Sequence, residues 1–382
     1  EIITNEFKNE IIKLHEIRDE YLSNPFTPEI IKEYKEIKNK IRKRLLEEDS
    51  NFKNTLFFPL EFFYCFFKKD GSPMPEEKHG FSGIISNPPW EAIKPIKKEF
   101  AKQGKYEMDI LHFNKWFKEK LSSDTEFSND WKNYNDFYER YSEFLYEKYK
   151  LQSSGDPNYY KFFIERDFQL IKQNAYFCLL VPSGFQTDAG SILLRDLLIN
   201  QFTLNEIKSF ENRGYFAPDK KFKVKLFPEV DNRFKFSIVF AQKKHRDETD
   251  FNAKFYMRHP NELKENDIIC YDIDKIKKFS PHTISIMEFR TERDYEICLK
   301  IRGEFKLFAE THFKLRSEFH MTNDSHLYNS LIDIQNQKGV PFLRLYEGKM
   351  IHQFTSSYGE PRYFIKEIEA RKVLFKKVLH RI

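Results

Sequence analysis

The sequence predicts an α/β sheet domain, and three observations carry that prediction. Between residues 160 and 241, segments with helical patterning alternate with segments patterned as buried strands, the order that builds a sheet covered by helices. A short apolar strand, Gly83-Ile84-Ile85-Ser86, precedes them and ends at two prolines, Pro88 and Pro89. The chain has 382 residues, enough for two or three domains with a substantial core.

The first fifty residues read as a helical hairpin. Ile30, Tyr34, Ile37, Ile41 and Leu45 recur at helical spacing. Thr27 before Pro28 is a start signal, a hydroxyl followed by a proline whose missing N–H costs nothing in the first turn. The preceding helix, around Phe7, Ile11 and Leu14, breaks at Ser23-Asn24-Pro25. Five of the seven residues from Lys38 to Arg44 are basic, a run that suits a solvated helix face better than a phosphate contact.

The sheet domain is expected over residues 51–250. Residues 56–67 are dense in phenylalanine, and the strand 83–86 comes next. About residues 91–157 the chain turns charged and aromatic, with Tyr134, Phe137, Tyr141 and Phe144 at helical spacing. These aromatics suit the core of an inserted helical layer better than a stacking platform. Residues 160–171 then read as an amphipathic helix, 175–181 as a buried strand, 190–199 as a second helix and 236–241 as a second strand. Residues 251–335 become irregular and polar and read as a connector, and 336–382 as the opening of another domain.

Composition narrows the function classes. Glycine occurs 12 times, against about 27 at average usage, and no two glycines stand two apart. Without a G-x-G the chain carries neither a dinucleotide fingerprint nor a P-loop, both of which bring backbone close to phosphate. With 64 basic and 59 acidic residues the net charge is +5, which permits a nucleic-acid partner without requiring one. Cys65, Cys178, Cys270 and Cys298 fall at irregular spacing, so neither a zinc site nor a disulfide framework is expected, and a reducing, cytoplasmic setting is. The longest apolar runs, such as 175–181, are less than half a membrane span, and no charged-then-apolar leader opens the chain, so no membrane partner is expected. The first residue is Glu1 rather than methionine, which suggests a segment of something longer.

Chemistry enters at Asn87-Pro88-Pro89-Trp90, directly after the buried strand, where α/β enzymes place ligands at the carboxyl end of the sheet. The exocyclic nitrogen of adenine or cytosine shares its lone pair with the ring and attacks a methyl donor poorly. Two acceptors aimed at its hydrogens, the Asn87 side-chain oxygen and the Pro88 carbonyl, would favour the pyramidal geometry that frees the lone pair. Consecutive prolines hold φ and present carbonyls without competing donors. Trp90 offers a face for a planar base, a contact worth about 1–3 kcal/mol. The amine can lose its proton after charge develops, so no base of perturbed pKa is required. The bland alternative is a rigid strand-to-helix turn with a tryptophan packed on it.

At these residues the sequence resembles the amino-group DNA methyltransferases that use S-adenosylmethionine, and more specifically the type IIG restriction-modification enzymes and related phage-defence adenine methyltransferases. Further segments share the resemblance in family order. They are the run from Phe57 through Pro59, Leu60 and Glu61 to Phe62, the segment 158–166 followed by Val181-Pro182-Ser183-Gly184-Phe185, and the stretch 227–240. Later, Phe279-Ser280-Pro281-His282-Thr283 and the segment 345–354 are similar to the family's connector and the start of its target recognition domain.

The resemblance implies the C-terminal part of a Rossmann-like methyltransferase sheet with helical insertions, then the start of a mixed α/β recognition domain. It implies that Asn87, Pro88, Pro89 and Trp90 bind and stack the target base. Phe227 is favoured as the second stacking ring over Phe234 and Phe236, which read as core of a strand, and a flipped adenine would be clamped between Trp90 and Phe227. Pro182 and Ser183 are expected on the same pocket wall, although a plain turn explains them almost as well. Lys220, Lys221, Lys223 and Lys225 flank the loop as candidate phosphate contacts, with a solvated loop as the equal alternative. The family's glycine-rich cofactor loop and acidic ribose ligand would lie before Glu1, as would a nuclease.

The expected function is therefore transfer of a methyl group from S-adenosylmethionine to adenine N6 in double-stranded DNA, without a metal, within a restriction-modification or phage-defence system. The alternatives are cytosine-N4 methylation, protein-glutamine methylation and a non-catalytic DNA-binding module.

Overall fold

Six strands pair into one mixed sheet within residues 1–305. In chain order they are β1 (Phe81–Ser86), β2 (Ile171–Pro182), β3 (Thr203–Glu211), β6 (Lys235–Gln242), β7 (Asp250–Met257) and β8 (Ile269–Asp272), and a two-stranded hairpin of β4 (Tyr215–Phe216) and β5 (Lys223–Val224) is inserted between β3 and β6. Across the sheet the order is β1-β2-β6-β3-β7-β8. β1, β2, β3 and β7 run one way and β6 and β8 the other, so β6 is an antiparallel strand set between two parallel ones. The expected α/β class is thus what forms, in keeping with a Rossmann-like methyltransferase sheet. This computed structural model describes residues 2–25, 27–48, 56–101, 110–152, 154–216, 221–244, 250–265, 267–313, 318–321, 323–337 and 339–379, in two compact units, 1–305 and 306–382.

Local sequence accounts for most of these elements. α1 (Lys8–Ser23) buries Ile11, Leu14 and Ile17, and α2 (Pro28–Glu48) buries Ile30, Ile41 and Leu45 at the spacing read from the sequence. α2 starts at Pro28 as expected, while the Thr27 hydroxyl donates back to the Asn24 carbonyl at 3.2 Å. The basic run on α2 meets carboxylates: Lys38 pairs with Glu61, Lys40 with Glu10, and Arg44 with Glu6 and Glu48. The insertion forms α3 (Ile110–Ser123) and α4 (Thr125–Lys148), whose aromatics gather in two small clusters. Phe137 departs from the expected core role; it is 55% exposed and stacks on Tyr141.

α5 (Tyr159–Leu170) packs Tyr160, Ile164 and Phe168 on the sheet, and α6 (Ile192–Gln201) adds Leu194 and Leu198. β2 buries Ala175, Phe177, Leu179 and Val181, the period of two that made it legible. Gly80, just before β1, sits at φ +107°, and a Cβ there would lie 2.2 Å from the Leu170 carbonyl oxygen. Only glycine fits that approach.

β3 was not expected, because its buried positions include Thr203, Ser209 and Glu211. Ser209 faces Ser237 across the β3–β6 pair, with hydroxyls 2.6 Å apart, and Gln186 Nε2 donates to both at 2.9 Å. Polar side chains hydrogen-bonded to one another inside the sheet make a central strand look like a surface segment. The sheet also continues into the region expected to be a connector. β7 pairs with β3, β8 with β7, and α7 (Ile273–Phe279) and α8 (Glu292–Glu304) come next before the unit ends at Phe305. Lys254, buried in β7 and paired with Glu265 and Asp267, breaks the apolar pattern there. Arg195, fully buried, donates to the carbonyls of Phe185, Asp188, Thr283 and Ile284 and so joins α6 to the segment between α7 and α8. Burial lowers its guanidinium pKa to about 10.

The second unit holds an antiparallel sheet of β9 (Tyr328–Asn329), β10 (Phe342–Arg344) and β11 (Phe364–Lys366) in the order β10-β11-β9, followed by α9 (Glu367–Leu379). Leu345, Met350, Ile365 and Ala370 are its buried apolar residues among those described. No described helix in either unit is long and apolar enough to cross a membrane.

Candidate active site

β1 delivers the chain to Asn87 at the carboxyl end of its parallel pairing with β2, where Ser86 lies in register with Leu179. Pro88 is buried, Asn87 and Pro89 are exposed and Trp90 is half-buried. Two prolines offer no N–H, so the turn is anchored by the residues on its C-terminal side. The Ile93 N–H donates to the Pro157 carbonyl at 2.7 Å, and the Tyr159 N–H to the Glu91 carbonyl at 3.2 Å. Asn158 serves both sides: its Nδ2 donates to the Trp90 carbonyl at 3.3 Å, while its Oδ1 caps α5 by accepting the Tyr160 N–H.

The Trp90 ring packs into an aromatic group. Its centroid lies 5.2 Å from Phe227 with planes at 64°, and 5.8 Å from Phe236 at 29°. Phe227 meets Phe236 edge-on at 4.8 Å, and Phe236 stacks on Phe210. The indole Nε1 is buried and finds no hydrogen-bond partner among the described residues.

A cleft of about 770 Å³ opens between the turn and the loop before β6, with Asn87, Pro88, Trp90, Phe227, Asp231 and Phe234 among its lining residues. The loop is held by Asn212, which comes directly after β3 and is fully buried. Asn212 Nδ2 donates to the Phe227 and Val230 carbonyls at 2.9 and 3.0 Å, and Oδ1 accepts the Phe227 N–H at 3.0 Å. At the rim, Asp231 takes a two-pronged contact from Arg233, which draws its carboxyl down to about 2.

Behind the turn, burial pushes the Asp167 carboxyl of α5 up to about 6, against a hydrogen bond with Ser86 that lowers it. Its Oδ2 is buried without a partner among the described residues. Asp167 and Ser86 both line a second cavity of about 640 Å³ beside Pro89.

Residues 4–216, more than half of the chain, match the Eco57I restriction-modification methylase family. The chain belongs to that family. No curated protein sequence matches it. Among solved structures it is similar to a modification subunit of a putative type I restriction enzyme from Vibrio vulnificus YJ016, at 13% identity and a TM-score of 0.30, over 60% of this chain and 40% of that one. It is similar to the type IIG restriction endonuclease BpuSI at 17% identity and a TM-score of 0.21, over 29% of this chain and 12% of that one. It is also similar to the DNA-bound type ISP enzyme LlaBIII at 13% identity and a TM-score of 0.26, over 47% of this chain and 10% of that one. The chain therefore spans between about a tenth and two fifths of the length of these structures.

In this Eco57I-family chain the tetrapeptide Asn87–Trp90 and Phe227 lie on one cleft. The two rings touch, however, whereas a base stacked between parallel rings needs two stacking rises of about 3.4 Å each. Phe236 is core, as expected of a strand phenylalanine. Phe234 is 48% exposed and lines the cleft, because it ends the loop before β6 begins. Pro182 and Ser183 do not line this cleft; Pro182 lies in register with Phe236, and the Ser183 N–H is taken by the Lys235 carbonyl. Lys221 and Lys223 are exposed, Lys225 Nζ donates to the Val230 carbonyl at 2.8 Å, and Lys220 lies outside the described residues. Asn158, Asp167 and Asn212 were not read from the sequence as site residues. Each acts through a neighbour distant in the chain, so no local pattern marks it.

Proposed function

We propose that this chain is the base-binding half of a restriction-modification DNA methyltransferase acting on adenine N6, with the opening of its recognition domain. The observation that supports this reading is Asn87-Pro88-Pro89-Trp90 at the carboxyl end of β1, on a cleft shared with Phe227. Asn87 Oδ1 and the Pro88 carbonyl are the two acceptors that turn the amine lone pair outward, and the base stacks on an aromatic face beside them. Since Trp90 and Phe227 are in contact, entry of a flipped base requires Phe227 to withdraw. Lys221 and Lys223 on the inserted hairpin carry the charge that suits the DNA backbone.

S-adenosylmethionine supplies the methyl group when bound. The chain carries no G-x-G, so a glycine-rich loop of that pattern to approach its methionine part is not among these residues. Among the described residues β1 is an edge strand, with Ile85 92% exposed. The test is tritium transfer from S-adenosylmethionine to duplex DNA by the complete protein and by Asn87→Ala, followed by nucleoside analysis. N6-methyladenine from the wild type and a loss of about a hundredfold or more in the variant are expected. Undiminished transfer by Asn87→Ala would sink the mechanism, and N4-methylcytosine would replace the base.

A further inference from the structure

We infer that Asn212 is the positioning residue of the base seat: its side-chain amide fixes the backbone of Phe227 and thereby sets that ring against Trp90. This rests on the reading of Phe227 as a base-contacting ring. The loop from Leu226 to Phe234 has no regular structure, and Asn212 is fully buried beneath it. Its amide pairs with both the N–H and the C=O of Phe227, the exchange that a neighbouring strand would make, and its second hydrogen reaches the Val230 carbonyl. Its own N–H donates to the Phe234 carbonyl at 3.0 Å, so both ends of the loop are referred to one residue at the end of β3. Lys225 adds a single bond to Val230, and the Asp231–Arg233 pair is local to the loop.

The hydrogen-bond pattern selects the residue type. Two donors and one acceptor in one planar group are what an asparagine has and an aspartate or alanine lacks. A glutamine would carry the amide one carbon further, past a backbone that is already at 2.9–3.0 Å. The ring that Asn212 places is the one in contact with Trp90, so the residue sets the position of that ring in the cleft.

The experiment is a double-mutant cycle on the complete protein, with Asn212→Ala, Phe227→Ala and the pair, reading kcat and KM for methyl transfer to duplex DNA. Asn212→Ala is expected to lower kcat about tenfold or more, the scale of a misplaced reacting geometry, with KM for DNA within about threefold. In the Phe227→Ala background the same change is expected to have little further effect, because its action runs through that ring. Asn212→Asp, close in size and keeping the acceptor, is the second variant should Asn212→Ala not fold, and the same non-additive loss is expected of it. Losses that multiply in the double variant, or Asn212 variants that turn over normally while Phe227→Ala does not, would overturn the proposal alone. Normal turnover by Phe227→Ala would overturn the reading of the ring itself, and this proposal with it.

Discussion

Trp90 and Phe227 meet with ring centroids 5.2 Å apart and planes at 64°, across 137 positions of sequence. The contact closes the aromatic side of the cleft.

Removing one of these rings separates stacking from amine orientation. Trp90→Ala is expected to lose about 1–3 kcal/mol of base stacking, roughly a 5- to 150-fold fall in kcat/KM for methyl transfer. Trp90→Phe, which keeps an aromatic face, should retain most of the rate. Equal rates for wild type and Trp90→Ala would remove Trp90 from the base seat.

The lysines of the inserted hairpin should divide by what they touch. Lys221 and Lys223 are exposed, so each replacement by alanine is expected to reduce the slope of log Kd for DNA against log salt by about 0.9. Lys225 spends its ammonium on the Val230 carbonyl, so Lys225→Ala should leave that slope unchanged. A slope that falls for Lys225→Ala and not for the other two would reverse the assignment.

Asp167 should make stability depend on pH. Burial raises its folded pKa to about 6 from an ordinary value of 3.8, so the folded protein holds a proton that the unfolded chain has released between those values. The stabilisation is full below about 4 and is lost as pH rises through 6, a penalty at pH 8 of up to about 3 kcal/mol. Asp167→Asn keeps the shape without the charge and is expected to stabilise the protein at pH 8 and flatten the profile. Denaturant midpoints at pH 4.5 and 8 measure both, and a variant that is less stable than wild type at pH 8 would show that the ionised carboxylate is needed.

Arg195 joins four carbonyls from two stretches of chain nearly a hundred residues apart. Arg195→Met leaves those acceptors buried and unpaired, and a destabilisation of about 3–5 kcal/mol is expected, roughly 5–8 °C in the melting temperature of a unit this size. A shift within about 2 °C would mean that the carbonyls find other partners.

An element was legible in the sequence when its partners lie close along the chain. α2 was readable because its buried residues repeat every three or four positions, and β2 because Ala175, Phe177, Leu179 and Val181 alternate with outward-facing neighbours. β3 and β7 were not, because Ser209 and Lys254 are satisfied by residues on other elements and look like surface until those elements are in place. Phe234 looked like strand core and proved to be a rim residue because β6 begins one residue later.

The tetrapeptide's chemistry is local: an amide oxygen, a proline carbonyl and an aromatic ring in four consecutive residues, and the sequence by itself determined it. What only the tertiary structure decided is what stands opposite. The order β1-β2-β6-β3 brings the loop before β6 over the end of β1, so Phe227 and Phe236 become neighbours of Trp90, more than 130 residues earlier, with Asn212 holding Phe227 from behind. The physical reason is that a side chain's chemistry belongs to its residue, while its partner is set by strand order, which is fixed only when the whole sheet has paired.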